Sequence, residues 1–93
     1  MTMFYPAKYK YLRNIISLRT SEAARGSVRK LEIEYKSAKT RGKKLRIARA
    51  TQLAANRSAA TLKRRNLSFH ERQEYLEIQN IYATSARKMF ARL

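Results

Sequence analysis

The sequence predicts an all-α fold: a small bundle of three main helices preceded by a short N-terminal helix or basic–aromatic arm. Three observations carry the prediction. Apolar residues recur at helical spacing along most of the chain. Hydroxyl residues stand where helices would begin, at Thr20 and Ser68. The stretch from Lys36 to Arg65 is built largely from alanine, arginine and lysine, which are strong helix formers, and its glycine, Gly42, lies near its start. At 93 residues the chain has room for one domain with a small core. It divides into an arm or short helix over 1–19 and a three-helix domain over 20–93.

In the first segment Phe4, Tyr5, Tyr9 and Tyr11 alternate with Lys8, Lys10, Arg13 and Arg19. Pro6 suits the first position of a helix, and Tyr9, Leu12 and Ile16 continue at i, i+3, i+7. Two readings of this segment stand. The rings stack on bases while the cations meet phosphates, or the rings and Ile15/Ile16 pack over the end of the helical core.

Thr20-Ser21-Glu22 has the form of a helix start, with a hydroxyl cap and an acid facing the positive helix end. Ala24, Val28, Leu31, Tyr35 and Ala38 then follow at spacings of 4, 3, 4 and 3, which predicts a helix over 20–38 with one apolar stripe. Gly26 weakens its first turn or admits another backbone. Because the stripe covers about two heptads, it also raises the prospect of self-association.

Lys39-Thr40-Arg41-Gly42-Lys43-Lys44 is the expected break, with Gly42 in a left-handed, helix-ending conformation and its neighbouring amides able to cradle a phosphate. The glycine spacing is not that of a Walker A loop, and no strand precedes it. A second helix is predicted over 43–65. On it Ile47, Ala48, Ala50, Ala54, Ala55, Ala59 and Leu62 share one broad half, and Arg46, Arg49, Asn56, Arg57, Lys63 and Arg64 the other. Leu53 and Ala60 point toward the basic half and Arg65 toward the apolar one. Lys63-Arg64-Arg65 complements the helix's negative end, and Asn66 is placed to end it.

Ser68-Phe69-His70-Glu71 is a capping box opening a third helix over 68–91. Tyr75, Ile78, Tyr82, Ala86, Met89 and Leu93 form its buried stripe, widened by Leu76, Ala83 and Phe90. Glu71, Glu74 and Glu77 load its first half, and Arg87, Lys88 and Arg92 its end, in keeping with the helix dipole. The same glutamates are candidates to pair with basic residues of the preceding helix across a short turn. Ile81 falls outside the stripe, as a partner contact or a stray exposed residue.

Charge narrows the function. There are 22 Lys and Arg against 6 acids, all of them Glu, for a net charge of +16 and a pI near 11.0. That excess weakens a compact state by self-repulsion, so it points to a polyanionic partner. Eleven of the cations lie between Lys36 and Arg65, where there is no acid at all. Like charges four residues apart on a helix repel, and Arg46, Arg49, Arg57 and Arg64 find no acid within their own helix. With 44% hydrophobic residues the chain is more than a disordered basic tail.

Other chemistries fit poorly. With no Cys, no Asp and one His there is neither a thiolate metal site nor a catalytic constellation. His70 and Glu74 have i, i+4 spacing, but the metalloprotease motif requires a second His where Glu74 stands. No enzyme activity, cofactor or metal is expected. No apolar run reaches the ~20 residues that span a bilayer, and Lys8, Lys10 and Arg13 interrupt any signal-peptide core. The expectation is a soluble intracellular protein or a component of a nucleoprotein particle.

The leading expectation is therefore a non-enzymatic protein that binds nucleic acid, DNA or RNA, through its phosphates. The candidate contacts are Lys39, Arg41, Lys43, Lys44, Arg46, Arg49, Asn56, Arg57, Lys63 and Arg64, with Lys8, Lys10 and Arg13 of the arm. A structural or packaging role is favoured, because a recognition helix of ~20 residues would be unusually long. The alternatives are an RNA-binding protein similar in composition, though by no motif, to small helical ribosomal proteins; a sequence-specific DNA-binding regulator; and a helical protein–protein adaptor or homo-oligomer. Membrane-surface binding would require bulkier apolar residues than the alanines of 45–62.

Overall fold

The computed structural model describes residue 12 and residues 15–93, and its architecture is a bundle of three helices: α1 (Ser21–Ser37), α2 (Arg41–Thr61) and α3 (Phe69–Ala91). α3 packs against both other helices, most extensively against α2. The expected Phe4, Tyr5, Tyr9 and Tyr11 contacts lie outside the described residues.

α1 begins as its sequence dictates. Thr20 is extended, and its hydroxyl accepts from the Ala23 amide at 3.0 Å, satisfying one of the helix's orphan donors. Ala24, Leu31 and Tyr35 of the predicted stripe are buried, while Val28 and Ala38 pack against them half-buried. Ser27 is buried too. The stripe faces the other helices of the bundle. Gly26 makes no close approach to other backbone: a Cβ built there meets nothing within 4 Å.

Gly42 is not a left-handed helix stop, since no described residue has a positive φ. The break lies earlier, where Ala38 and Thr40 are extended. Thr40 caps α2, its hydroxyl accepting from the Lys43 amide at 3.1 Å. α2 thus starts two residues before the predicted position, with Gly42 inside its first turn.

The far end of α2 is also corrected. The helix stops at Thr61, and Lys63-Arg64-Arg65 lies in the turn beyond it; Asn66 plays no left-handed capping role. The reason is Arg72 of α3. Its guanidinium donates to the carbonyls of Leu62 (3.2 Å) and Arg64 (3.0 Å), acceptors that a continuing helix would need for its own amides.

The buried side of α2 contains Ile47, Ala48, Ala54 and Ala55, as predicted, together with Thr51 and Ser58. The two hydroxyls satisfy themselves on the preceding turn, Thr51 donating to Ile47 C=O at 2.8 Å and Ser58 to Ala54 C=O at 3.2 Å. So small a face lets α3 approach closely: Thr51 Oγ1 lies 3.5 Å from the Met89 sulfur.

α3 carries the predicted capping box in full, with Ser68 accepting from the Glu71 amide and Glu71 accepting from the Ser68 amide. Hydrogen bonding from the Ser68 backbone, then from its side chain, holds the Glu71 carboxyl below its usual range. Ile78, Tyr82, Ala86 and Met89 are buried. Leu76 and Phe90, expected to widen the stripe, are exposed instead, and Ile81 packs against the core. Both corrections follow from α3 touching two helices, which rotates its buried arc toward α1 and away from the Leu76–Phe90 side.

Leu12 is buried, Ile16 N–H donates to its carbonyl at 3.2 Å, and Ile15, Ile16 and Leu18 pack on the core. For the isoleucines, the packing reading of the first segment therefore holds. The joint is polar. Tyr82, fully buried, donates to Ser17 C=O at 2.7 Å and accepts from Ser17 N–H at 3.1 Å. Ser27 Oγ accepts from the same N–H at 3.1 Å and donates to Ile15 C=O at 2.7 Å. No buried side-chain nitrogen or oxygen among the described residues lacks a hydrogen bond.

Candidate nucleic-acid interface

The α1–α3 contact settles where the acids go. Glu74 accepts from the Ser21 amide at 2.7 Å, capping α1 from across the bundle. Glu77 pairs with Arg25, and Glu32 accepts from Ser85 at 3.3 Å. With Glu71 in its own cap, four of the six glutamates are engaged by α1, α3 or their termini. The expected pairing of the α3 glutamates with α2 is not what forms. α1 lies beside them, and its first amides and Arg25 meet them before any cation of α2 can.

Residues 38–68 consequently hold ten cations and no acid. Arg49, Asn56 and Arg57 are exposed on the side of α2 facing away from the core, with Arg46 half-buried beside them. Lys39, Arg41 and Lys43 are exposed at one end of this strip, and Lys63 and Arg64 at the other. The 21 residues of α2 set the ends about 30 Å apart at ~1.5 Å per residue. The arrangement is a ridge with cations along it, not a pocket.

Two predicted contacts have other engagements. Lys44 turns inward, donating to Tyr35 C=O at 3.1 Å with its ammonium 4.6 Å from the centre of the Tyr35 ring. It closes the C-terminal end of α1, where a cation is favoured. Asn56 has its carbonyl oxygen occupied by the Gln52 amide at 3.0 Å, which leaves its own NH2 to face outward. Lys8, Lys10 and Arg13 lie outside the described residues.

Sequence reasoning missed the residues that position the ridge. Thr40 fixes its start, and Arg72 folds the turn that presents Lys63, Arg64 and Arg65. Thr40 was legible as a hydroxyl two residues before a helix-compatible glycine; Arg72 was not, because its contacts are with carbonyls eight and ten residues away.

Where α1 ends and α2 begins, Glu34, Ser37, Ala38, Lys43 and Ile47 line an open cleft of about 100 Å³. That is well below the ~300 Å³ at which small-molecule sites begin. Among the described residues no three His, Cys, Asp or Glu side chains gather as a metal would require, and no helix is long and apolar enough to cross a membrane. His70 is exposed with its ring edge-on to Phe69, while Glu74 is bound to α1. No known protein family, curated protein or solved structure matches the chain.

Proposed function

We propose that the protein binds nucleic acid, chiefly through its phosphate backbone, along the ridge formed by α2 and the turns at its two ends, as a structural component of a nucleoprotein assembly. The observation that carries the proposal is the separation of charge. The bundle engages Glu32, Glu74 and Glu77 in contacts between α1 and α3 and Glu71 in its own cap, while Arg41, Lys43 and Arg49 stand exposed on α2, a helix with no acid of its own to supply neutralisation. A regularly charged polyanion supplies that neutralisation, and binding releases its condensed counterions. Arginine suits the role because its fork meets phosphate oxygens two at a time. A ridge without a concave pocket or a dense set of base-reading side chains favours backbone contact over sequence reading.

The test is a filter-binding titration against duplex DNA, duplex RNA and single strands at several salt concentrations. Tight binding with a steep salt dependence and similar affinity for the three forms is expected. Replacing Arg46, Arg49 and Arg57 together by Ala should flatten the salt slope by roughly 1 for each lost contact, with helicity by circular dichroism unchanged. Weak binding to every form at low salt would sink the proposal. A large preference for one form would replace backbone binding with recognition of that form's shape.

A further inference from the structure

The α1–α3 contact is a ladder in which partners stand 52 to 54 residues apart. Ser21 meets Glu74, Arg25 meets Glu77, Ser85 meets Glu32, and Tyr35 donates to Met89 C=O at 2.7 Å. Lys36 lies four residues after Glu32 and Lys88 three after Ser85, so each continues the line of its own helix. The same offset sets Lys36 level with Lys88, and Arg92 follows one turn on, at the C-cap of α3. All three are exposed, as is Arg29, one turn after Arg25 on the same side of α1. The earlier rungs give each carboxylate a donor, whereas the last brings cation beside cation. Two acids stand near in sequence, but Glu32 accepts from Ser85 and Glu34 lines the cleft against α2. Because α2 packs on both α1 and α3, the outer edge of their seam faces away from the α2 ridge.

We propose that Arg29, Lys36, Lys88 and Arg92 form a second nucleic-acid surface, so that one molecule holds two nucleic-acid segments on opposite sides of the bundle. The inference rests on the reading of the α2 ridge and adds bridging to it. Two observations select a second segment of the same polyanion. The cations come from two helices and converge at one level without a recess, an arrangement that repulsion disfavours and that phosphates along a chain relieve. Outside residues 38–68 the chain also holds twelve cations to six acids, so a segment laid on α2 leaves a positive excess elsewhere for another to neutralise. Bound at both faces, the protein ties segments together, as a packaging component must.

The test uses the full chain, one duplex DNA immobilised on beads and the same duplex, fluorescently labelled, in solution. Protein at about one copy per duplex should capture the labelled duplex on the beads, and capture should fall again in large protein excess, when each segment fills with its own copies. Replacing Arg29, Lys36, Lys88 and Arg92 together by Ala should leave helicity by circular dichroism and the salt slope of single-duplex filter binding in place, while capture drops by roughly tenfold. A salt slope that flattens by roughly 4 would mean that these cations touch the same segment as α2, and would overturn bridging. Undiminished capture by the variant, or protein-coated beads that take up no second duplex, would overturn it too, with the ridge reading intact. Failure to bind the first duplex at all would remove both.

Discussion

Removing one oxygen from Tyr82 isolates the joint between the first residues of the described chain and the bundle. In Tyr82→Phe the ring still fills its buried site, so no cavity term enters. What is lost is the donor to Ser17 C=O and one of two acceptors for Ser17 N–H. The amide keeps Ser27 Oγ, and the carbonyl belongs to a half-buried residue that water can partly serve. The cost should therefore fall near the low end of the 1–3 kcal/mol for an orphaned buried group, at about 1 kcal/mol. In a chain of this size that is a fall in Tm of roughly 4–8 °C. Ser27→Ala removes the other acceptor together with the donor to Ile15 C=O. Only the double variant leaves Ser17 N–H without either partner, so its loss should exceed the sum of the singles by on the order of 1 kcal/mol. Urea denaturation followed by circular dichroism measures all four proteins of the cycle. Additive losses, or a Tyr82→Phe change under ~0.3 kcal/mol, would refute the shared-amide account. The hydroxyl also fixes a pH response. Burial raises the Tyr82 phenol above its ordinary 10.0. The folded chain then holds this proton where the unfolded chain releases it. Stability from this group is complete below pH 10 and declines above it, as pH rises toward the raised value. The alkaline limb should be shallower in Tyr82→Phe.

Three further outcomes follow from the same geometry. Gly26→Ala should stabilise the protein by about 0.5–1 kcal/mol, because a helix-interior glycine with open space around it gives up only entropy; a lower Tm would contradict that reading. Glu74→Ala should cost about 1 kcal/mol by uncapping Ser21, and Glu74→Gln less, since an amide oxygen still accepts; equal losses in thermal melts would mean the charge, and not the cap, matters. Lys44→Ala should lower stability by roughly 0.5–1 kcal/mol through its lost contacts with Tyr35, whereas exposed Arg49→Ala should leave the melting curve in place.

Much of the fold was legible because its signals are local. Thr20 and Ser68 announce helices that begin one residue later, and the 24–38 stripe needs only sequence spacing to be found. What escaped depends on contacts across the bundle. Arg72 ends α2 from the next helix, which no pattern within Lys36–Arg65 encodes. Ile81 was judged against one stripe, although α3 packs on two neighbours. Thr51 and Ser58 look polar in sequence and are buried, since each hydroxyl bonds within its own helix. Gly42 was read as a helix stop, whereas the Thr40 cap two residues earlier puts it in the first turn of α2. For the candidate interface, the sequence located the cations. Their isolation from the glutamates depends on α1 engaging Glu74 and Glu77 through its Ser21 amide and Arg25, a fact of tertiary structure. Lys44 was counted among outward-facing cations because its spacing cannot reveal that Tyr35 sits beneath it.

The small-residue side of α2 has a consequence for how the protein responds to ions. Alanines, a threonine and a serine bury little apolar area, so at this seam the hydrophobic term has a slender margin over the mutual repulsion of a +16 chain. Added salt shortens the range of that repulsion and so firms the fold. The same salt removes the counterion-release gain that drives the proposed binding. Folding and the proposed binding thus pull in opposite directions along one axis, and a polyanion bound as proposed would resolve the conflict by acting as a fixed, concentrated counterion for charge that the bundle leaves open.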